Sequence, residues 1–466
     1  MFARIILLAL GLLPVGLTAA PKVHEFTLDN GLHLLVQEDH RAPVVVSQVW
    51  YKVGSSYEHD GITGASHVLE HMMFKGTEKV PAGEFSRRIA ELGGRENAFT
   101  SRDYTAYFQT LERSRLETAF ELEADRMRGL VLDPEELAKE VRVVMEERRL
   151  RTEDSPTALT YERFNATAFL TSPIRNPVIG WMDDLQSLRI EDLQAWYRQW
   201  YAPNNATLVV VGDIDPEAVH ALAQKYFGPL NPGIIVPPKP RTEITQQGTR
   251  RLTVRLPAEL PYLVMGYKVP VLGSADETDD AYALEVLAGI LDGGNSARLA
   301  RELVRGSAIA ASAGAGYSLH GRLPGLFLLD GTPADGHDVG VLEQALRDQV
   351  RRLQEEPVAA DELARIKAQV VAGKVYERDS VFYQAMQIGT LETVGLGWEQ
   401  LDAYVERVNA VTPEQLQQAA RKYFVDDTLT VAVLEPLPIV TEAPEEGGQS
   451  DSAAAGEANG ESRDVQ

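Results

Sequence analysis

Cysteine does not occur anywhere in the 466 residues. Its absence excludes a disulfide framework, thiol catalysis and a thiolate-ligated metal, so any bound metal must use imidazole and carboxylate. Histidine is scarce, at 9 residues, and a cluster of histidines is therefore informative. Positive charge is also short: 45 Lys and Arg stand against 68 Asp and Glu, a net charge of -23. That balance argues against nucleic acid and anionic membrane as partners. After residue 20 no apolar stretch is long enough to span a bilayer. The remainder is ordinary for a globular protein, with 44% hydrophobic residues and a length suited to two or three domains.

The two ends differ from the middle. Arg4 precedes an apolar run from Ile5 to Leu17, and Thr18-Ala19-Ala20 supplies small residues. This is the pattern of a secretory signal peptide, so residues 1–20 are expected to be removed and the protein to be periplasmic or secreted in a bacterial envelope. From about Thr441 the chain is rich in Glu, Gly, Ser and Ala without an aromatic residue, and 441–466 is expected to be a disordered acidic tail.

Between these ends the pattern is α+β and repeated. Val23 to Leu28 and Leu32 to Gln37 alternate around the turn signal Asp29-Asn30-Gly31, which predicts a hairpin. Val44 to Val53 predicts a buried strand. Helices are predicted over Thr63–Lys75, from Pro81 to Gly93-Gly94, and over Arg113–Leu130, Pro134–Arg151 and Asp192–Trp200. Strands are predicted near Glu96–Thr100, Tyr104–Thr110 and Ala206–Val211. The later segments Tyr262–Val269 and Ala281–Leu291 repeat the strand and helix at Val44 and Thr63, and Gln415 to Val433 repeats Asp192 to Val211. The expected organisation is two homologous halves, 21–228 and 249–440, joined by a Pro-rich linker at 229–248. Each is expected to be a mostly antiparallel sheet packed with helices.

The chemistry is concentrated in His67-Val68-Leu69-Glu70-His71. On a helix, positions i, i+3 and i+4 share a face, so two imidazoles and a carboxylate can reach one point. Two neutral imidazoles plus a third ligand form a tetrahedral zinc site whose fourth position is open to water. A carboxylate beside that water can take its proton, in the H-x-x-E-H order of inverted-motif hydrolases. The segment Glu140 to Glu147 offers several acids for the third ligand, including Glu140, Glu146 and Glu147. In the second half, Leu284, Leu287 and Ala288 fall opposite His67, Glu70 and His71, so that copy carries no ligands.

The run from Gly64 to Thr77 resembles the active-site helix of the insulinase and pitrilysin (M16) zinc peptidases, in the short branch that includes the mitochondrial processing peptidases. The resemblance extends through Gly93-Gly94, Asn97 to Thr100, Glu140 to Glu147, Pro177 to Leu188 and Gly293 to Leu299. It implies one zinc ion per chain on His67, His71 and Glu147, with Glu70 as general base and Glu140 orienting a ligand imidazole. Glu140 and Glu147 are seven residues apart and share a helix face, whereas Glu146 points elsewhere. The resemblance also implies an extended peptide substrate on an edge strand at Asn97, Ala98 and Phe99, and Phe74 lining a pocket. Active members draw an Arg and a Tyr from the second half of a clamshell. Anchored on Gly293 to Arg298, those positions fall on Val304 and Ala311 here, and Arg301, Arg305 and Tyr317 lack the right spacing. A homologous partner subunit supplying the pair, and hence a heterodimer, is therefore expected. A non-proteolytic, chaperone-like assembly subunit and a hydrolase of small molecules are the competing readings.

Overall fold

The computed structural model describes residues 22–239 and 241–439; the signal-like residues 1–20 and the stretch 441–466 lie outside them. The β-branched runs pair into two sheets. The first contains Val23–Thr27 (β1), His33–Glu38 (β2), Val44–Tyr51 (β3), Arg95–Thr100 (β4), Thr105–Glu112 (β5) and Ala206–Gly212 (β6), in the order β1-β2-β6-β3-β5-β4. The second contains Arg250–Pro257 (β7), Tyr262–Val269 (β8), Ala310–Gly316 (β9), Gly325–Pro333 (β10) and Leu429–Leu437 (β11), in the order β7-β11-β8-β10-β9. Among the described residues each sheet has a single parallel pair, β2 with β6 and β7 with β11. All other pairings are antiparallel. Without β1 the two sheets have the same topology, so the repeat seen in the sequence is a repeat of fold.

Helices cover both sheets, and the halves exchange one helix each. One face of the first sheet packs on its own half, with Val45, Val49 and Tyr51 in that core. Its other face, with Val46, Trp50, Val209 and Val211, is covered by Ala385 and Ile388 of the helix Val381–Thr393. Conversely, Phe164 on the helix Pro156–Ala168 packs on Val264 and Ala432 of the second sheet. Both contacts depend on glycine for close approach. A Cβ on Gly389 would meet the Trp50 indole at 2.1 Å, and one on Gly266 would meet Phe164 at 2.7 Å.

The Pro-rich stretch 229–248 forms no helix or strand among its described residues, but it is held in place. Glu243 accepts hydrogen bonds from the amides of Leu170 (3.0 Å), Thr171 (2.9 Å) and Ser172 (2.9 Å) and from Lys268 Nζ (2.7 Å). Burial alone would raise the Glu243 carboxyl; Lys268 and the three amides outweigh it and hold the group at about 2.

Some helix ends differ from the sequence expectation for a local reason. The motif helix is Ala65–Met72 rather than Thr63–Lys75: Gly64 at φ 90° leaves the right-handed region just before it, and after it the chain turns through Met73 to Lys75 into Gly76 at φ 95°. The helix expected from Pro81 begins at Glu84, after Gly83 at φ 77°.

A Gly389→Ala change separates packing from propensity. Alanine gains about 1 kcal/mol in a helix interior, but here its Cβ collides with Trp50. We expect a net loss of about 1–3 kcal/mol, read as a lower midpoint in chemical denaturation. An unchanged or raised midpoint would contradict the inter-half packing.

Candidate metal centre and active site

The motif helix is set by its buried side and by an unusual cap. Val68, Leu69 and Met72 are fully buried against the first core. This turns His67, Glu70 and His71 toward a cavity of about 980 Å³ that all three line. The first helical amides are capped from outside the helix: Glu58 accepts from Gly64 N at 2.8 Å and Ser66 N at 2.7 Å. Burial pushes the Glu58 carboxyl up to about 7, against the downward pull of the Ser66 and Gly64 amides.

The opposing helix, Pro134–Arg148, starts with Pro134 in its first turn and Asp133 accepting from the amides of Glu135 (2.7 Å) and Glu136 (3.0 Å). Glu140 and Glu147, two turns apart, reach the motif helix, whereas Glu146 turns to solvent and pairs with Arg149 at 2.8 Å. Glu147 Oε2 lies 3.8 Å from His67 Nε2 and 3.7 Å from His71 Nε2. The three ligand atoms lie within 4.8 Å of one another. Ligands about 2.0–2.1 Å from a tetrahedral zinc ion stand roughly 3.3 Å apart, so a small contraction around an ion completes the set. The donor types fit as well: two imidazoles and a carboxylate with no sulfur suit zinc.

The surroundings prepare the ligands. His71 Nδ1 lies 3.1 Å from Glu140 Oε2, which directs its Nε2 lone pair toward Glu147. Lys75 Nζ holds the other Glu140 oxygen at 2.6 Å. Burial, then the nearby His71 and Arg151, lowers His67 to about 3, so its imidazole is neutral and able to bind metal. Its Nδ1 is buried without a hydrogen-bond partner. Burial raises the Glu70 carboxyl, and the Thr100 hydroxyl opposes that shift by donating to Glu70 Oε2 at 2.5 Å.

The expected substrate residues separate into two sets. Asn97, Ala98 and Phe99 line the cavity on β4, which among the described residues pairs only with β5 and leaves its other edge free. Phe99 also packs edge-on against Trp50, with ring centroids 5.5 Å apart. Phe74 does not line this cavity; its ring lies 5.2 Å from the buried Arg126 guanidinium, among Tyr107 and the first core. Thr100 and Arg151, which pairs with Glu147 Oε1 at 2.6 Å, are site residues that sequence reasoning missed. Arg151 could have been found from its i+4 spacing to Glu147; Thr100 reaches Glu70 only through the tertiary fold. Among the described residues the second half contributes Tyr262 alone to the lining. Val304 lies against the second core and Ala311 on β9, while Tyr317 donates to Pro270 O at 2.8 Å.

Two imidazoles and a carboxylate that could hold one metal ion, with a further carboxylate in the same cavity, are a donor set that a metal-dependent hydrolase can use. Comparison with known proteins agrees. The model for insulinase (peptidase family M16) matches residues 33–180, and that for the peptidase M16 inactive domain matches 187–370. The chain belongs to the M16 peptidase family. It is 31% identical to a zinc protease, PqqE, of Helicobacter pylori, over 93% of this chain and 97% of that one. It is 26% identical to an uncharacterized zinc protease, YmxG, of Bacillus subtilis, over 89% and 98%. The crystal structure of a protease from Helicobacter pylori superposes with a TM-score of 0.84 at 31% identity, covering 90% of this chain and all of that one (100%).

Glu140 and Glu147 should differ in their effect on metal. By calorimetric titration, Glu147→Ala should lose high-affinity zinc binding, and Glu140→Ala should keep one site weakened about 10–100-fold. Equal affinity of wild type and Glu140→Ala would refute the orienting role.

Proposed function

We propose that this chain is a zinc-dependent endopeptidase that cleaves extended peptides or unfolded segments. The observation that carries the reading is the convergence of His67, His71 and Glu147 next to Glu70, in one cavity bounded by the free edge of β4. Zinc held there would lower the pKa of a bound water and polarise the scissile carbonyl. Glu70 takes a proton on its carboxylate and returns it to the leaving amide nitrogen. Thr100 restrains Glu70 from the end of β4, so the base is fixed relative to the edge on which a peptide would lie. Backbone pairing to that edge gives affinity with little demand on sequence, and flanking pockets select side chains.

The same proposal includes a partner. Val304 and Ala311 stand where the resemblance calls for Arg and Tyr, and among the described residues nothing from 291–325 lines the metal cavity. A homologous subunit lacking the zinc motif would supply the missing pair, making this chain the catalytic half of a heterodimer. An envelope location, read from residues 1–20, belongs to the same reading. Among the described residues no helix is long and apolar enough to cross a membrane.

Two tests follow. Glu70→Gln should retain zinc and lose about 10²–10⁴-fold in peptide cleavage; normal cleavage by that variant would remove Glu70 as the base. Co-purification should yield a second M16-like chain that raises activity when added back. Full activity of the purified chain alone would refute the need for a partner.

A further inference from the structure

Among the described residues three arginines line the metal cavity: Arg102, Arg151 and Arg175. Two of them are already paired. Arg151 holds Glu147 at 2.6 Å, and Arg175 grips both oxygens of Asp60 at 2.7 and 2.8 Å. The cavity acid Glu162 is likewise taken by Arg148, at 2.7 and 2.9 Å. Arg102 differs. Among the described residues its side chain forms no ion pair and donates no hydrogen bond, and its Nε is shielded from solvent without a partner. The neighbouring Asp103 does not serve it; that carboxylate accepts from Ser56 Oγ at 2.7 Å and from Arg322 N at 2.9 Å.

Arg102 also occupies a particular place. It lines both the metal cavity and an adjoining cavity of about 390 Å³ between the two halves, whose other walls include Phe169, Tyr317 and Leu326. Its backbone is fixed: Ser55 N donates to Ser101 O at 3.1 Å and Ser56 N to Arg102 O at 2.8 Å. It follows Thr100, which touches Glu70, by two residues. It sits in the turn at 101–104 that closes β4 onto β5, where Ser101 N donates to Tyr104 O at 2.8 Å, and it lines the same cavity as Thr100 and Glu70, so a side chain near the scissile bond of a peptide on β4 lies within its reach.

A half-buried guanidinium without a counter-charge is costly, and a planar carboxylate is the group whose geometry it matches. We propose that Arg102 is a specificity-determining residue that binds a carboxylate of the substrate close to the cleaved bond. The proposal rests on the peptidase reading above. Two sources share this chemistry, an Asp or Glu side chain and the carboxyl terminus of a short peptide. The acidic net charge of the protein disfavours such substrates at long range, so the selection is local.

The test uses the protein as purified, with any co-purifying subunit retained, and matched peptides. One series places Glu or Gln at each position around the cleaved bond; the other carries a free or amidated C-terminus. The readout is the ratio of kcat/KM for acid over amide, for wild type, Arg102→Gln and Arg102→Glu. We expect a ratio of about tenfold or more in wild type at one position or at the terminus. It should fall to near one in Arg102→Gln and invert in favour of Lys over Gln at that position in Arg102→Glu. The series in which the ratio appears identifies the carboxylate source. Cleavage by wild type without an acid preference, or a preference that survives in both variants, overturns the proposal while leaving the peptidase reading intact. If no matched peptide is cut in a Glu70-dependent way, the peptidase reading fails and this proposal fails with it.

Discussion

The site depends on the meeting of two helices that are distant in sequence, with three ligand atoms at one point. The motif helix offers His67 and His71, and the helix Pro134–Arg148 offers Glu147. Neither contact is favourable in isolation, because two imidazoles and a carboxylate crowded together at low dielectric need a cation or fixed hydrogen bonds. The structure supplies the fixed part: Glu58 anchors one helix start, Asp133 caps the other, and Glu140 bridges His71 and Lys75. In the proposed function a cation would complete it.

The exchange of helices between the halves extends this constraint to the whole chain. Trp50 is enclosed by a helix from the second half, and Phe164 reaches the second sheet from the first. The metal cavity is bordered by the helix that carries Phe164, so the second sheet positions one wall without contributing a ligand. This accounts for a second half that has lost the chemistry of its copy: Leu284 and Leu287, opposite His67 and Glu70, are fully buried core residues. Its own demand is for packing.

Much of this was legible in the residues. His67, Glu70 and His71 fall within one helical turn, so periodicity placed them; Glu140 and Glu147 came from the family resemblance, and their shared helical face agrees with it. Strand alternation and the repeated helix–strand pattern conveyed the two-half architecture. What could not be read was non-local. The hydroxyl of Thr100 on Glu70, the Glu58 cap and the helix exchange join residues whose sequence neighbours carry no trace of the contact. An amphipathic pattern says that the helix Val381–Thr393 has a buried face; it does not say against which sheet. Phe74 illustrates the same limit: its place next to the motif fits a pocket wall, and only the packing of Arg126 shows where its ring lies.

The pairing of Arg151 with Glu147 and of Arg175 with Asp60 leaves the cavity nearly neutral apart from the metal ligands, the base and Arg102. A single metal ion among His67, His71 and Glu147 is therefore the central requirement of the site. Anomalous diffraction from crystals of the zinc-loaded protein, recorded above and below the zinc edge, tests this most directly. One peak is predicted per chain, about 2.0–2.1 Å from His67 Nε2 and His71 Nε2 and about 2.0–2.2 Å from a Glu147 oxygen, with Glu70 outside the coordination sphere. A peak bound elsewhere, or one coordinated by Glu70 in place of Glu147, would contradict it.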